Sequence, residues 1–218
     1  MSKQQRDGRM SKRSERPKRQ LELGYYRIIT DTDETEFHYF NGMKESLPSQ
    51  YKGKIEIVVE KKTATNKLIK RALENLGTYS DIWIVLDRDL VPNFDSIIEQ
   101  ARQYNINIAW SNPCIEIWLI AYFKNMPSVQ TSTQCCDAFE QEFKKKTGQE
   151  YNKNDERIYQ KLNRYGDESK ALKRAQSRYK QWTDDAERDK QIHPSTMCPC
   201  TLLFELVGEI HSKVRYQY

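Results

Sequence analysis

Histidine is scarce. The 218 residues hold three, His38, His193 and His211, and no two stand at the spacing of a shared zinc site. Glycine is scarce as well, at eight residues, and no glycine-rich loop of the P-loop or dinucleotide type occurs. That excludes a chain that is itself a nucleotide-driven motor. Five cysteines are present, Cys114, Cys135, Cys136, Cys198 and Cys200, and they form a CC and a CPC pair but no C-x-x-C. Free thiols are the default for such a set. An odd count, behind a basic N-terminus with no apolar stretch after it, points to a reducing, cytoplasmic setting and away from a secreted, disulfide-bonded chain. No apolar run approaches the ~18 residues of a membrane span.

Charge of one sign is in excess only at the N-terminus. Residues 1–20 hold eight Lys/Arg, including Lys12, Arg13, Arg16, Lys18 and Arg19, against two acids. The other 198 residues carry 28 basic and 29 acidic side chains, so this segment is at +6, the rest at −1, and the chain's net charge of +5 comes from the segment. Such a composition predicts a disordered tail, which either solubilises the chain or binds nucleic-acid phosphates without reading sequence.

Between residues 24 and 124 two periodicities alternate. YYRIIT (25–30), KIEIVVE (54–60), DIWIVLD (81–87) and INIAW (106–110) read as strands, rich in β-branched and aromatic residues. Between them, Phe37, Phe40, Met43 and Leu47 recur at helical spacing, as do Leu68, Ala72, Leu73 and Leu76, and a further helix fits residues 93–105. Ser111, Asn112 and Pro113 form a helix-start signal for the apolar stretch that follows. Strand and helix alternating over short links predict an α/β fold with a mostly parallel sheet. Beyond Pro127 the chain turns polar, with sparse anchors such as Phe139, Phe143, Leu162 and Trp182 predicting two or three helices. A loop over 192–200 and a closing helix over 201–214 follow. The expected organisation is a tail (1–20), an α/β core (21–127) and a helical extension packed on it (128–218).

In parallel sheets, ligand sites form beyond the carboxyl ends of the strands. The third strand runs into Asp87-Arg88-Asp89. Residues two apart on an extended chain face the same way, and like charges held close are costly unless a cation lies between them. The plainer reading is a helix-capping aspartate followed by a solvated one. The metal reading gains from the buried strand in front, and hard oxygen donors suit Mg²⁺ or Mn²⁺. Asp31 follows the first strand and is the second candidate. Asp33 and Glu36 fit a capping box before Phe37, and Glu34 is ambiguous. Glu116 lies in a helix that is apolar nearly all round and needs a partner there, structural or at the site. Asn112 is either a cap or a site residue. His38 reads as a helix-surface residue.

The combination of a basic N-terminus, RIITDTDETEFHYF, DIWIVLDRD and NIAWSNPCIEIWLIAYF resembles the RloB-like proteins, a family linked to abortive-infection and restriction-associated loci. The resemblance covers about residues 20–127, and its most specific stretch is SNPC-x-E-x-W. It implies a Toprim-like (Rossmann-like) core. In Toprim domains a Glu after the first strand works with a D-x-D after the third. The D-x-D corresponds to Asp87 and Asp89, and the Glu to Asp31. Here Asp31-Thr32 stands in place of an acid followed by glycine, one methylene shorter.

The resemblance thus implies a Mg²⁺- or Mn²⁺-dependent nuclease acting on DNA or RNA, transfer RNA among the candidates, in antiphage defence. Asp31, Asp87 and Asp89 are the expected metal ligands and, with Glu116, the expected catalytic residues. An AAA/ABC-type, RloA-like ATPase is the expected partner, and self-association is an open option. The alternative is a catalytically weak nucleic-acid-binding or regulatory subunit of such an ATPase complex, with residues 131–190 as its docking surface. A primase- or topoisomerase-like transferase is the third reading.

Overall fold

The computed structural model describes residues 24–60 and 65–215. The basic segment 1–20, with Lys12, Arg13, Arg16, Lys18 and Arg19, lies outside the described residues.

Four strands run parallel: β1 (Tyr26–Thr30), β2 (Ile55–Val59), β3 (Asp81–Asp87) and β4 (Asn107–Asn112). A two-residue strand, β5 (Cys200–Thr201), pairs antiparallel with β4. The order is β2-β1-β3-β4-β5, a mixed α/β architecture of Rossmann-like type. The sequence pattern places residues 192–200 in a loop. Two of the last residues before the closing helix find an open edge of β4 and hydrogen-bond to it, which periodicity along the chain does not encode.

Alternation along the strands divides the core in two. Tyr26, Ile28, Trp83, Val85 and Ala109 face one side; Ile29, Ile82, Ile84, Leu86 and Trp110 face the other. The first side is covered by α1 (Thr35–Ser46), α5 (Glu116–Ala121), α6 (Ser132–Thr147), α7 (Ile158–Tyr165), the start of α8 (Glu168–Arg188), and α9 (Leu203–Arg215). The second is covered by α3 (Thr65–Leu73), α4 (Phe94–Gln103) and residues 197–202. A short helical turn, α2 (Ser49–Lys52), links α1 to β2. β3 sits at the centre, buried on both faces from Ile82 onward. Each of its aliphatic side chains contributes about 1.5–3 kcal/mol by leaving water. Gly42 lets α1 and α7 touch: a Cβ there would meet the Tyr159 Cβ at 2.6 Å. Among the described residues no helix is long and apolar enough to cross a membrane.

Two local expectations are corrected. Ser111 and Asn112 do not start a helix; both belong to β4, the Asn112–Pro113 peptide is cis, and α5 begins at Glu116. Asn112 is therefore no cap. Its side-chain amide donates to the carbonyl oxygens of Pro194 and Ser195, at 3.2 and 3.1 Å, and ties the late loop to the sheet. The capping box also fails. α1 starts at Thr35 after Glu34, which makes no side-chain cap, and Glu36 turns inward. The buried face of α1 is Glu36, Tyr39, Phe40 and Met43, with Phe37 only half-buried.

Candidate metal centre

Because β1, β3 and β4 are parallel, their carboxyl ends share one edge of the sheet. Asp31 follows the last residue of β1, and Asp87 closes β3. Asp87 is 6% exposed; its Oδ2 accepts the Ile115 N–H at 3.0 Å. Its Oδ1 is buried without a hydrogen-bond partner, and so is Oδ1 of Asp31. A buried carboxylate oxygen that no donor meets destabilises the fold unless a proton or a cation satisfies it.

Asp89 reaches the same place by a different route from the one its spacing suggests. β3 ends at Asp87, and Arg88–Leu90 form a 3-10 turn. Strand alternation therefore does not aim Asp89; the turn does. Its backbone N–H donates to Pro113 O at 3.3 Å, and its Oδ2 accepts from the Ser132 hydroxyl at the start of α6. Asp87 and Asp89 line one pocket of about 90 Å³ together with Glu36, Glu116, Cys114 and Lys153. That volume takes an ion and a few waters. Next to it opens a larger cleft of about 390 Å³, lined by Asp89, Arg88, Asn112, Ser132, Ser195 and Thr196.

Glu116 is 1% exposed, and its Oε1 accepts from the Tyr151 hydroxyl at 2.9 Å, with Lys153 Nζ at 3.9 Å. It thus has structural partners and a place in the pocket wall at once. Glu36 is the acid that the sequence pattern assigned to capping. Its Oε2 accepts from the Thr32 hydroxyl at 2.7 Å, and the carboxylate lines the pocket. One signal could have found it: Glu36 shares the i, i+3, i+4, i+7 face of Tyr39, Phe40 and Met43, where a solvated cap would not stand. His38 packs edge-on against Phe37, at 5.6 Å between ring centroids, and His211 pairs with Glu168 at 2.9 Å. No histidine lines the pocket.

The acids feel one another. Burial, then the charges of Glu36, Glu116 and Asp31, push the Asp87 carboxyl well above the usual carboxylate range, against the lowering effect of the Ile115 N–H. Burial also raises Asp31, and Asp89 adds to it. Burial foremost, with the charges of Asp31 and Glu116 added, pushes Glu36 up to about 7. All are oxygen donors, as Mg²⁺ and Mn²⁺ require. The structure brings Asp87 and Asp89 into one pocket, while Asp31 lies outside its lining and is linked to it by the charge of Asp89; the orphaned oxygens of Asp31 and Asp87 are hard donors of the kind that Mg²⁺ or Mn²⁺ would take.

A family profile for RloB-like proteins matches residues 26–210. The match spans the helical extension as well as the α/β core. No curated protein and no solved structure matches the chain.

Proposed function

We propose that this chain, which belongs to the defence-associated RloB-like family, is a Mg²⁺- or Mn²⁺-dependent nuclease of Toprim type and an effector of antiphage defence. The observation that carries the proposal is the pair of buried, partnerless carboxylate oxygens on Asp31 and Asp87 at the carboxyl edge of a parallel sheet. In such a site a bound divalent cation would neutralise charge on the scissile phosphate.

The chain's own residues do the rest. Asp87 is fixed by the Ile115 N–H and Asp89 by Ser132, so both present one oxygen in a set direction. Asp31 is half-buried, and burial, with the charge of Asp89 added, raises its carboxyl above the usual aspartate range, so it gives up a proton less readily than an exposed aspartate. Glu36, whose carboxyl feels the charge of Asp31, is a second proton reservoir. The pocket itself is too small for a nucleotide. The substrate backbone would lie in the adjoining cleft, where Arg88 supplies a cation and Asn112, Ser195 and Thr196 supply polar groups beside Asp89. An ATPase partner would provide the nucleotide-driven step for which this sequence has no phosphate loop.

The test is cleavage of plasmid DNA and of total RNA by the purified chain, with and without Mn²⁺. Wild type should cut only with the metal, and Asp87→Ala should not cut. Metal-dependent binding without cleavage would instead support the alternative, a regulatory subunit.

A further inference from the structure

Three of the five cysteines converge although their spacing in sequence gives no zinc signature. Cys114 precedes α5, and Cys135 and Cys136 lie near the start of α6, which packs against α5. The Cys114 thiol lies close enough to those of Cys135 and Cys136 to feel both. Glu116, the first residue of α5, stands on the same wall. The ligand atoms of Cys114, Cys136 and Glu116 all lie within 4.8 Å of one another. All five cysteines are free, so no disulfide competes for these sulfurs.

We propose that Cys114, Cys136 and Glu116 form a second cation site, for a thiophilic divalent ion of the Zn²⁺ class, distinct from the all-oxygen site of Asp31, Asp87 and Asp89. Donors around a tetrahedral zinc stand about 3.3–3.8 Å apart, from Zn–S bonds of ~2.3 Å and Zn–O bonds of ~2.0–2.2 Å. Contraction by about 1 Å brings the three atoms onto an ion of that bond length. The fourth position faces the pocket that Cys114, Glu116 and Cys136 line together, the open arrangement of a three-ligand zinc site.

Two neighbours support the assignment. The Tyr151 hydroxyl donates to Glu116 at 2.9 Å and itself meets the Thr35 hydroxyl at 2.6 Å. It therefore orients the carboxylate as an outer-shell donor does. Lys153 Nζ lies 3.9 Å from Glu116 Oε1 and its charge is felt at Cys136. Two thiolates, one carboxylate and Zn²⁺ sum to a charge of −1, and the half-exposed Lys153 beside them brings the assembly to neutrality. A hard ion prefers the aspartates and a soft one the sulfurs, so the two donor sets would sort cations by softness.

The experiment titrates the reduced, chelator-stripped full chain with Co²⁺ as a spectroscopic stand-in, then with Zn²⁺. The expected result is one tetrahedral Co²⁺ per chain with thiolate-to-cobalt charge-transfer absorption, displaced by one equivalent of Zn²⁺. Cys114→Ser and Cys136→Ser should each lose that absorption, while Cys198→Ser keeps it. Tyr151→Phe should weaken binding about 10–100-fold. Asp89→Asn should keep the absorption even where it abolishes cleavage, which separates this site from the nuclease proposal.

A second measurement needs no variant. Zn²⁺ should shield the half-buried Cys136 of the wild type from alkylation while the half-buried Cys198 still reacts. A purely octahedral, charge-transfer-free spectrum, absorption that survives both cysteine variants, or Cys136 labelling unchanged by Zn²⁺ would overturn the proposal.

Discussion

Replacing Glu36 by glutamine removes one charge from the acid pocket and keeps both the length of the side chain and an oxygen for the Thr32 hydroxyl. Glu36 is 6% exposed, and its pKa stands at about 7 against an ordinary 4.5. The cause is burial first and then the charges of Asp31 and Glu116. Between pH 4.5 and 7 the folded chain therefore keeps a proton that the unfolded chain releases, so stability falls as pH rises through that window. At about 1.36 kcal/mol per pH unit of displacement, ionising Glu36 destabilises the fold by about 3 kcal/mol above pH 7. Glutamine escapes this. For a chain of this size 1 kcal/mol moves Tm by about 2–4 °C, so metal-free E36Q should melt up to about 6–12 °C above wild type at pH 8. At pH 5 the gap should nearly close, because the wild-type carboxyl is then protonated in the fold. The assay is thermal unfolding in a chelator at the two pH values. It should be repeated with Mg²⁺, which at 100 times its Kd adds about 2.7 kcal/mol to a chain that binds it and should help wild type more than E36Q. If E36Q melts at or below wild type at pH 8, or if the gap is the same at pH 5, ionised Glu36 is not penalised by its burial among these acids and the reasoning fails.

Two further outcomes follow from the same account. Asp31→Asn should lower cleavage by about 10²–10⁴-fold, the usual worth of a general acid or base, and weaken metal binding without abolishing it, because Asp87 and Asp89 remain, while Asp31→Glu retains or raises cleavage. A wild-type rate in Asp31→Asn would make Asp31 a structural acid and leave the chemistry to the other two aspartates. Deleting residues 2–19 removes eight cations and should weaken nucleic-acid binding without changing sequence preference. The salt slope on duplex DNA should flatten by roughly 0.9 for each phosphate that the segment no longer neutralises, and an unchanged slope would make the segment a solubiliser only.

The parallel sheet was legible because its strands are short, β-branched runs separated by amphipathic stretches, and DIWIVLD stood out because a fully buried strand ends on an acid. What the pattern could not carry was anything decided by a turn or by distant packing. Asp89 is aimed by a 3-10 turn that D-x-D spacing does not encode. Glu36 satisfied a local capping signature, and local signatures are silent about which way a helix rolls onto the sheet; the roll puts Tyr39, Phe40 and Glu36 inward. At the fourth strand, Ser111-Asn112-Pro113 has the chemistry of a helix start, but pairing with β3 and β5 keeps Ser111 and Asn112 extended. Cys114 and Cys136 are brought together by the packing of α5 on α6, two segments that no spacing rule connects.

The central claim is that Asp31, Asp87 and Asp89 hold one hard divalent cation. Anomalous diffraction from crystals of the chain grown with Mn²⁺ tests it most directly. The account predicts a manganese peak at the carboxyl edge of the sheet, ~2.0–2.6 Å from carboxylate oxygens of all three aspartates, and its loss in Asp87→Ala. A peak elsewhere, or none at these aspartates with Mn²⁺ in excess, would contradict it.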